Sequence, residues 1–266
     1  MALFKTAQEI NINYDVFPGL LSSTTFFIHG NLASNCWWMP TVEILKSQGK
    51  GLAGDMICGE FRGCGGSSVP QSEDEVTMKN FADDFVQLIR SLKLAPINLV
   101  GHSTGGLIAA MMLAQAPELF NKAFLLDPVG AEGVKFDTAM IQAFEAMKVD
   151  KNLTGIVIGS TILNNNANSS FFKDIIVEDA FKGVKAVGHL VLKALDGLDV
   201  RESLKNSNHP VMVMHGEHDV LLSKTESEKL AKLFKNGKFE TLEGCGHCAN
   251  VENPALFVKK FSQFLY

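Results

Sequence analysis

The pentapeptide Gly101-His102-Ser103-Thr104-Gly105 constrains this chain more than any other segment, because of what stands on either side of it. The run Ile97 to Val100 before it is short and of β type, and Leu107 to Gln115 after it reads as a helix. A serine between a strand and a helix, with glycine two residues before and two after, marks a sharp turn that presents the hydroxyl from a strained backbone. Side chains at the two flanking positions would collide with the turn, so Gly101 and Gly105 are required there, and Gly106 would let the helix approach the strand. Ser103 is therefore the candidate nucleophile.

A serine hydroxyl is a poor nucleophile at neutral pH. It needs a histidine as base and a carboxylate to orient that histidine, following the serine in the order acid, then histidine. Val211 to Met214 reads as a strand running into His215-Gly216-Glu217-His218-Asp219, which offers Asp219, and Glu243-Gly244-Cys245-Gly246-His247 offers His247 on a Gly-rich loop before the last helix. Asp127, just past the strand Ala123 to Leu126, and Glu217 compete for the role of acid. Two N–H donors must also face the oxyanion of a tetrahedral intermediate. The amide of Thr104, which follows the nucleophile, is one candidate. The other is the amide of Asn31, after the strand-to-loop segment Phe26-Phe27-Ile28-His29-Gly30. The Asn31 side chain either faces the pocket as well or simply forms the turn. Chemistry of this kind calls for no metal and no organic cofactor.

The wider pattern agrees with an α/β architecture. Short apolar runs at Thr24 to Ile28, Ile97 to Val100, Ala123 to Leu126 and Val211 to Met214 alternate with segments of helical period, which predicts a mostly parallel sheet flanked by helices. Met78 to Leu92 places Phe81, Phe85, Leu88, Ile89 and Leu92 on one helical face, and Pro254 to Phe264 reads as a helix with proline in its first turn. From about Ala131 to about Leu195 the alternation stops. That stretch is mainly helical in pattern and carries the polar tract Asn164 to Ser170, so it reads as an insertion, expected to form a lid over the site, with plain helical padding as the alternative.

Composition narrows the partners. A chain of 266 residues with 46% hydrophobic and 20% charged residues can bury one large core. A formal net charge of -5 without a Lys/Arg block gives no reason to expect nucleic acid. No apolar run approaches the roughly 18 residues of a membrane span and no secretory signal is evident at Met1 to Ile10, so the cytoplasm is the expected location. Oligomeric state leaves no mark. Five cysteines suit small buried hydrophobes better than a disulfide framework. Cys245-Gly246-His247-Cys248 copies a dithiol redox motif, but it lies late in the chain on the loop that already offers the histidine base. His215 and His218 lack further ligands at a metal-binding spacing, His102 reads as a positioned neighbour of the serine, and Trp37-Trp38 as core packing before a wall of the pocket.

Taken together, the chain resembles the α/β-hydrolase fold family, in its lidded serine esterase and lactonase-like branch, over nearly its whole length. Glu60-Phe61-Arg62-Gly63-Cys64-Gly65-Gly66-Ser67 is similar to the family's D-x-R-G-x-G-x-S loop, with Glu60 where Asp is usual and Cys64 where His is common. Gly246-His247 to Glu252-Asn253-Pro254 resembles its histidine loop, G-H-x-x-x-x-E-x-P. The resemblance implies a core of residues 1–130 and 196–266 with a helical lid or cap at 131–195, and a small-molecule carboxylic ester, lactone or thioester as substrate. Ser103 at the elbow argues against the dehalogenase and epoxide-hydrolase branches, whose nucleophile is Asp. Asn31-Leu32-Ala33 after Gly30 departs from the pattern of the iminopeptidases. A C–C bond hydrolase on the same triad and a non-catalytic small-molecule receptor on the same fold stay open as alternatives.

Overall fold

The structure, a computed structural model, describes residues 1–47, 54–94, 96–205 and 207–266, with residues 20–22 described by backbone alone. Eight strands form one sheet: β1 (Ala2–Lys5), β2 (Asn11–Ser22), β3 (Thr25–Ile28), β4 (Gly54–Gly59), β5 (Ile97–His102), β6 (Phe120–Leu126), β7 (Pro210–Gly216) and β8 (Asn236–Leu242). Their order across the sheet is β1-β2-β4-β3-β5-β6-β7-β8. β1 pairs with β2, and β2 with β4, in antiparallel sense, while all pairs from β4 through to β8 are parallel.

The central strands are apolar on both faces because helices cover both. Side chains alternate sides along a strand, so Phe26 and Ile28 of β3 face one helical layer while Phe27 between them faces the other. Helix α1 (Met39–Ser47) lies on the Phe27 side, whereas α2 (Met78–Leu92) and α3 (Thr104–Gln115) pack on the Phe26 side. Phe81, Phe85, Leu88 and Ile89 of α2 are wholly buried, the face its period predicts, and Phe26 meets Phe85 edge to face with centroids 5.2 Å apart.

The long connection from β6 to β7 is helical. It contains α4 (Thr138–Met147), α5 (Lys151–Ser160), α6 (Val177–Gly183), α7 (His189–Leu195) and α8 (Arg201–Leu204), with π-helical turns before and after α6. Its apolar residues Phe144, Met147, Ile158, Phe172, Ile176 and Leu192 form a third core with Leu32, Trp37 and Cys248 from loops of the main body. Helices α9 (Lys224–Leu233), α10 (Ala249–Glu252) and α11 (Pro254–Leu265) complete the chain; Phe257 and Phe261 of α11 join Trp38, Phe27 and Phe124 on the α1 side. No helix of the described residues is long and apolar enough to cross a membrane.

Candidate active site

Ser103 stands between β5 and α3 with φ 55° and ψ −121°, a conformation costly for any residue with a side chain. The backbone is held there by close packing. A Cβ on Gly101 would lie 2.3 Å from the Gly105 carbonyl oxygen, and one on Gly105 would lie 2.3 Å from that of His29. A Cβ on Gly106 would come within 2.8 Å of Pro128. The Ser103 amide donates to Leu126 O at 2.9 Å, and its carbonyl accepts from the amides of Gly106 and Val129. Gly30 also belongs to this turn, since a Cβ there would sit 3.1 Å from the Cβ of Ser103.

Parallel strands end at the same edge of the sheet, and this brings Asp219 and His247 into contact and sets Ser103 on the cavity that His247 lines. His247 Nδ1 lies 2.8 Å from Asp219 Oδ2, with the histidine 4% exposed and the Asp219 side chain fully buried. Asp219 Oδ1 accepts from the amides of Leu221 and Leu222 at 2.7 and 3.1 Å. Burial pushes its carboxyl upward, but the hydrogen bond and charge of His247 with those two amides outweigh this and hold it below the usual range. Ser103 and His247 line one cavity. Of the competing acids, Glu217 is half exposed and accepts from the Gly244 amide. Asp127 is buried close behind Asp219.

His102 is neutral. Burial, and next the charge of His247, push it down to about 3. Its Nε2 lies 2.8 Å from the His247 carbonyl oxygen, so Nε2 must carry the proton and donate. It therefore anchors the backbone of His247 and offers no second base. Glu252 anchors the same loop from the other side: Oε2 accepts from the Gly246 amide at 2.6 Å, and Oε1 from the amides of Cys248 and Leu163 at 3.0 and 2.9 Å. One carboxylate thus holds both neighbours of His247 and the helical connection. Glu60 plays a similar part under the Asn31 loop, accepting from the Asn35 amide, Asn13 Nδ2 and the Gly66 amide.

Among the described residues, the backbone N–H groups of Asn31 and Thr104 take no part in the hydrogen bonds that bind these turns. The Asn31 side chain ties its loop to the helical connection, its Nδ2 donating to Gly188 O while its Oδ1 accepts from the Leu32 amide. Ser34 Oγ donates to Asp179 Oδ2 at 2.5 Å, a second tie between this loop and the helical connection.

The cavity encloses about 200 Å³. Phe136, Met140, Phe144, Val157, Ile158 and Leu192 form its outer wall, with Leu32, Trp37, Val129 and Leu221 among the residues of the main body. Among the described lining residues none is Lys, Arg, Asp or Glu. The tryptophan pair divides its duties: Trp38 is wholly buried in the core, whereas Trp37 joins the cavity wall. Cys245 and Cys248 are both free thiols. Burial pushes Cys245 up to about 11 and Cys248 well above the usual thiol range, which disfavours the thiolate that dithiol exchange needs. His215 is buried and bonded to Ser227, while His218 is half exposed.

A mostly parallel sheet with a strained serine after β5, an acid after β7 and a histidine after β8 defines the class: the chain has the α/β-hydrolase fold. A family model described as alpha/beta hydrolase fold matches residues 26–153. The chain is 26% identical over 243 residues to a putative carbamate hydrolase RutD of Agrobacterium fabrum, covering 87% of this chain and 88% of that one. It is 25% identical over 264 residues to 3-oxoadipate enol-lactonase 2 of Acinetobacter baylyi, covering 95% and 92%. The crystal structure of the enol-lactonase from Burkholderia xenovorans superposes with a TM-score of 0.83 over 99% of both chains at 18% identity.

Proposed function

We propose that this protein is a serine hydrolase that cleaves a small, uncharged carboxylic ester, lactone or thioester through an acyl-enzyme on Ser103. The observation that carries the reading is the 2.8 Å bond between buried His247 and Asp219 in the cavity where Ser103 stands on its strained turn. His247 takes the Ser103 proton as the hydroxyl attacks the substrate carbonyl, and Asp219 stabilises the imidazolium that results. The amides of Thr104 and Asn31 bind the oxyanion. The imidazolium then protonates the leaving group, and water activated by the same histidine releases the acid. Relatives that act as lactonase and as carboxylesterase support this reaction class.

Uncharged substrates follow from the lining. A charged group inside this wall would lose its water without gaining an opposite charge. We assign the helices between β6 and β7 the role of a cap, since Met140, Phe144 and Leu192 supply wall to the cavity and Glu252 and Asp179 tie the layer down.

Labelling with a fluorophosphonate probe, followed by peptide mass spectrometry, tests the reading. The expected result is an adduct on Ser103 that is absent from Ser103→Ala. A folded protein without an adduct would overturn it and bring forward a small-molecule receptor.

A further inference from the structure

The geometry points to Asp127 as a positioning residue that supports the triad acid from behind, its carboxyl group donating a hydrogen bond to the carboxylate of Asp219. The inference rests on the triad reading above and adds a fourth member to it.

Strands β6 and β7 are neighbours, with Leu126 paired to Met214, so the residues that leave their ends emerge side by side. Asp127 is the first residue beyond β6. It is wholly buried, adopts φ 41° and donates its amide to Met214 O at 2.8 Å. One carboxyl oxygen, Oδ1, accepts from the Gly216 amide at 2.7 Å. The other, Oδ2, is buried without a hydrogen-bond partner among atoms able to donate. Ligating atoms of Asp127, Asp219 and His247 all lie within 4.8 Å of one another.

Two carboxylates this close in a buried place cannot both be ionised. Asp219 has the stronger hold on the charge, because His247 and two backbone amides face it. The proton therefore belongs to Asp127. The groups around that carboxyl agree: His215 Nδ1, 3.5 Å away, is bonded to Ser227, and Asp219, Glu252 and the Cys245 thiol supply no cation. Burial, and next the charge of Asp219, hold Asp127 well above the usual carboxylate range. A proton on Oδ2 aimed at Asp219 gives the orphaned atom its partner and withdraws charge from the triad acid. The carboxylate that faces His247 Nδ1 then carries less charge than it would unaided.

The test compares Asp127→Ala and Asp127→Asn in the pH dependence of kcat/KM for p-nitrophenyl hexanoate, with fluorophosphonate labelling of Ser103 run alongside. In Asp127→Ala the donor is lost, so the acid limb moves to higher pH by about one unit and kcat falls roughly tenfold. Asp127→Asn, whose amide can both accept from Gly216 and donate to Asp219, restores the limb to its wild-type position. An acid limb unmoved in Asp127→Ala, or an Asn variant that behaves like the Ala variant, would overturn the inference while Ser103 still labels. Loss of labelling in the wild type would instead sink the triad reading, and this inference with it.

If Asp127→Ala does not fold, thermal melting of Asp127→Asn decides. A carboxyl whose folded pKa is raised contributes stability below its unfolded value that is lost as pH rises. Asparagine lacks that loss, so the melting temperature of the variant relative to wild type should rise from pH 4 to pH 8. A difference that does not change with pH would overturn the inference.

Discussion

At the residue scale, the site depends on atoms that are missing as much as on those present. The flanking glycines of the elbow were legible in sequence because the reason for them is local: a turn this tight leaves no volume for Cβ. The distances show how little is left, since a methyl group on Gly105 would lie 2.3 Å from the carbonyl oxygen of His29, which is backbone and cannot swing away. Gly105→Ala should therefore cost about 3 kcal/mol or more and remove esterase activity in whatever protein remains folded. Urea denaturation followed by fluorescence, with activity measured on the same sample, checks both. Gly30, Asp127 and Glu252 were not legible in the same way. Their parts are defined by neighbours far along the chain, such as Ser103 against Gly30 and Gly216 against Asp127.

At the scale of elements, the strands that lead into the Asn31 loop, Ser103 and Asp219 are among those the sequence declares most openly. β3, β5, β6 and β7 are buried on both faces and so are written as continuous apolar runs. The edge of the sheet is written differently. β8, Asn-Gly-Lys-Phe-Glu-Thr-Leu, alternates exposed and partly buried residues, and β1 does the same, so neither has the signature that a run of apolar residues provides. The loop that carries His247 is held between elements by Glu252 on α10, which accepts from three backbone amides. Glu252→Ala would leave these amides unpaired and should cost about 2–4 kcal/mol of stability. It should also lower kcat by on the order of a hundredfold through misplacement of His247, with Glu252→Gln falling between the two. Steady-state kinetics beside thermal melting separates the effect on the histidine from general loosening.

At the scale of the molecule, the cavity is a joint product of the main body and the helical connection, and its character follows from the mixture. The two layers meet on apolar surfaces, and the cavity between them inherits those surfaces, with Asn31, His102, Ser103, Thr104 and His247 on the main body and Ser160 and Thr161 on the helical side as polar exceptions. This predicts a strong preference for neutral acyl groups. Between p-nitrophenyl hexanoate and mono-p-nitrophenyl adipate, which differ by a terminal methyl against a carboxylate, kcat/KM should favour the hexanoate by roughly a hundredfold or more. Initial rates at subsaturating substrate measure the ratio directly. A ratio near one would mean that the bound carboxylate reaches solvent or a cation outside the wall. The prediction belongs to this scale because no single residue of the lining produces it.

What the sequence by itself determined is whatever depends on short range: the strand, turn and helix around Ser103, the apolar runs of the central strands, the amphipathic face of α2, and the order serine, acid, histidine. These follow from backbone sterics and from periodicity, which act over a few residues. The tertiary structure alone decided which polar atoms are satisfied and by whom. It bonded the Asn31 side chain to Gly188 O, made His102 a neutral anchor for His247, and divided Trp37 from Trp38 between cavity and core. Burial, hydrogen-bond partnership and protonation are set by the packing of segments distant in sequence, and in Asp127 and Asp219 that packing pushes two carboxyl groups of one chemical kind in opposite directions.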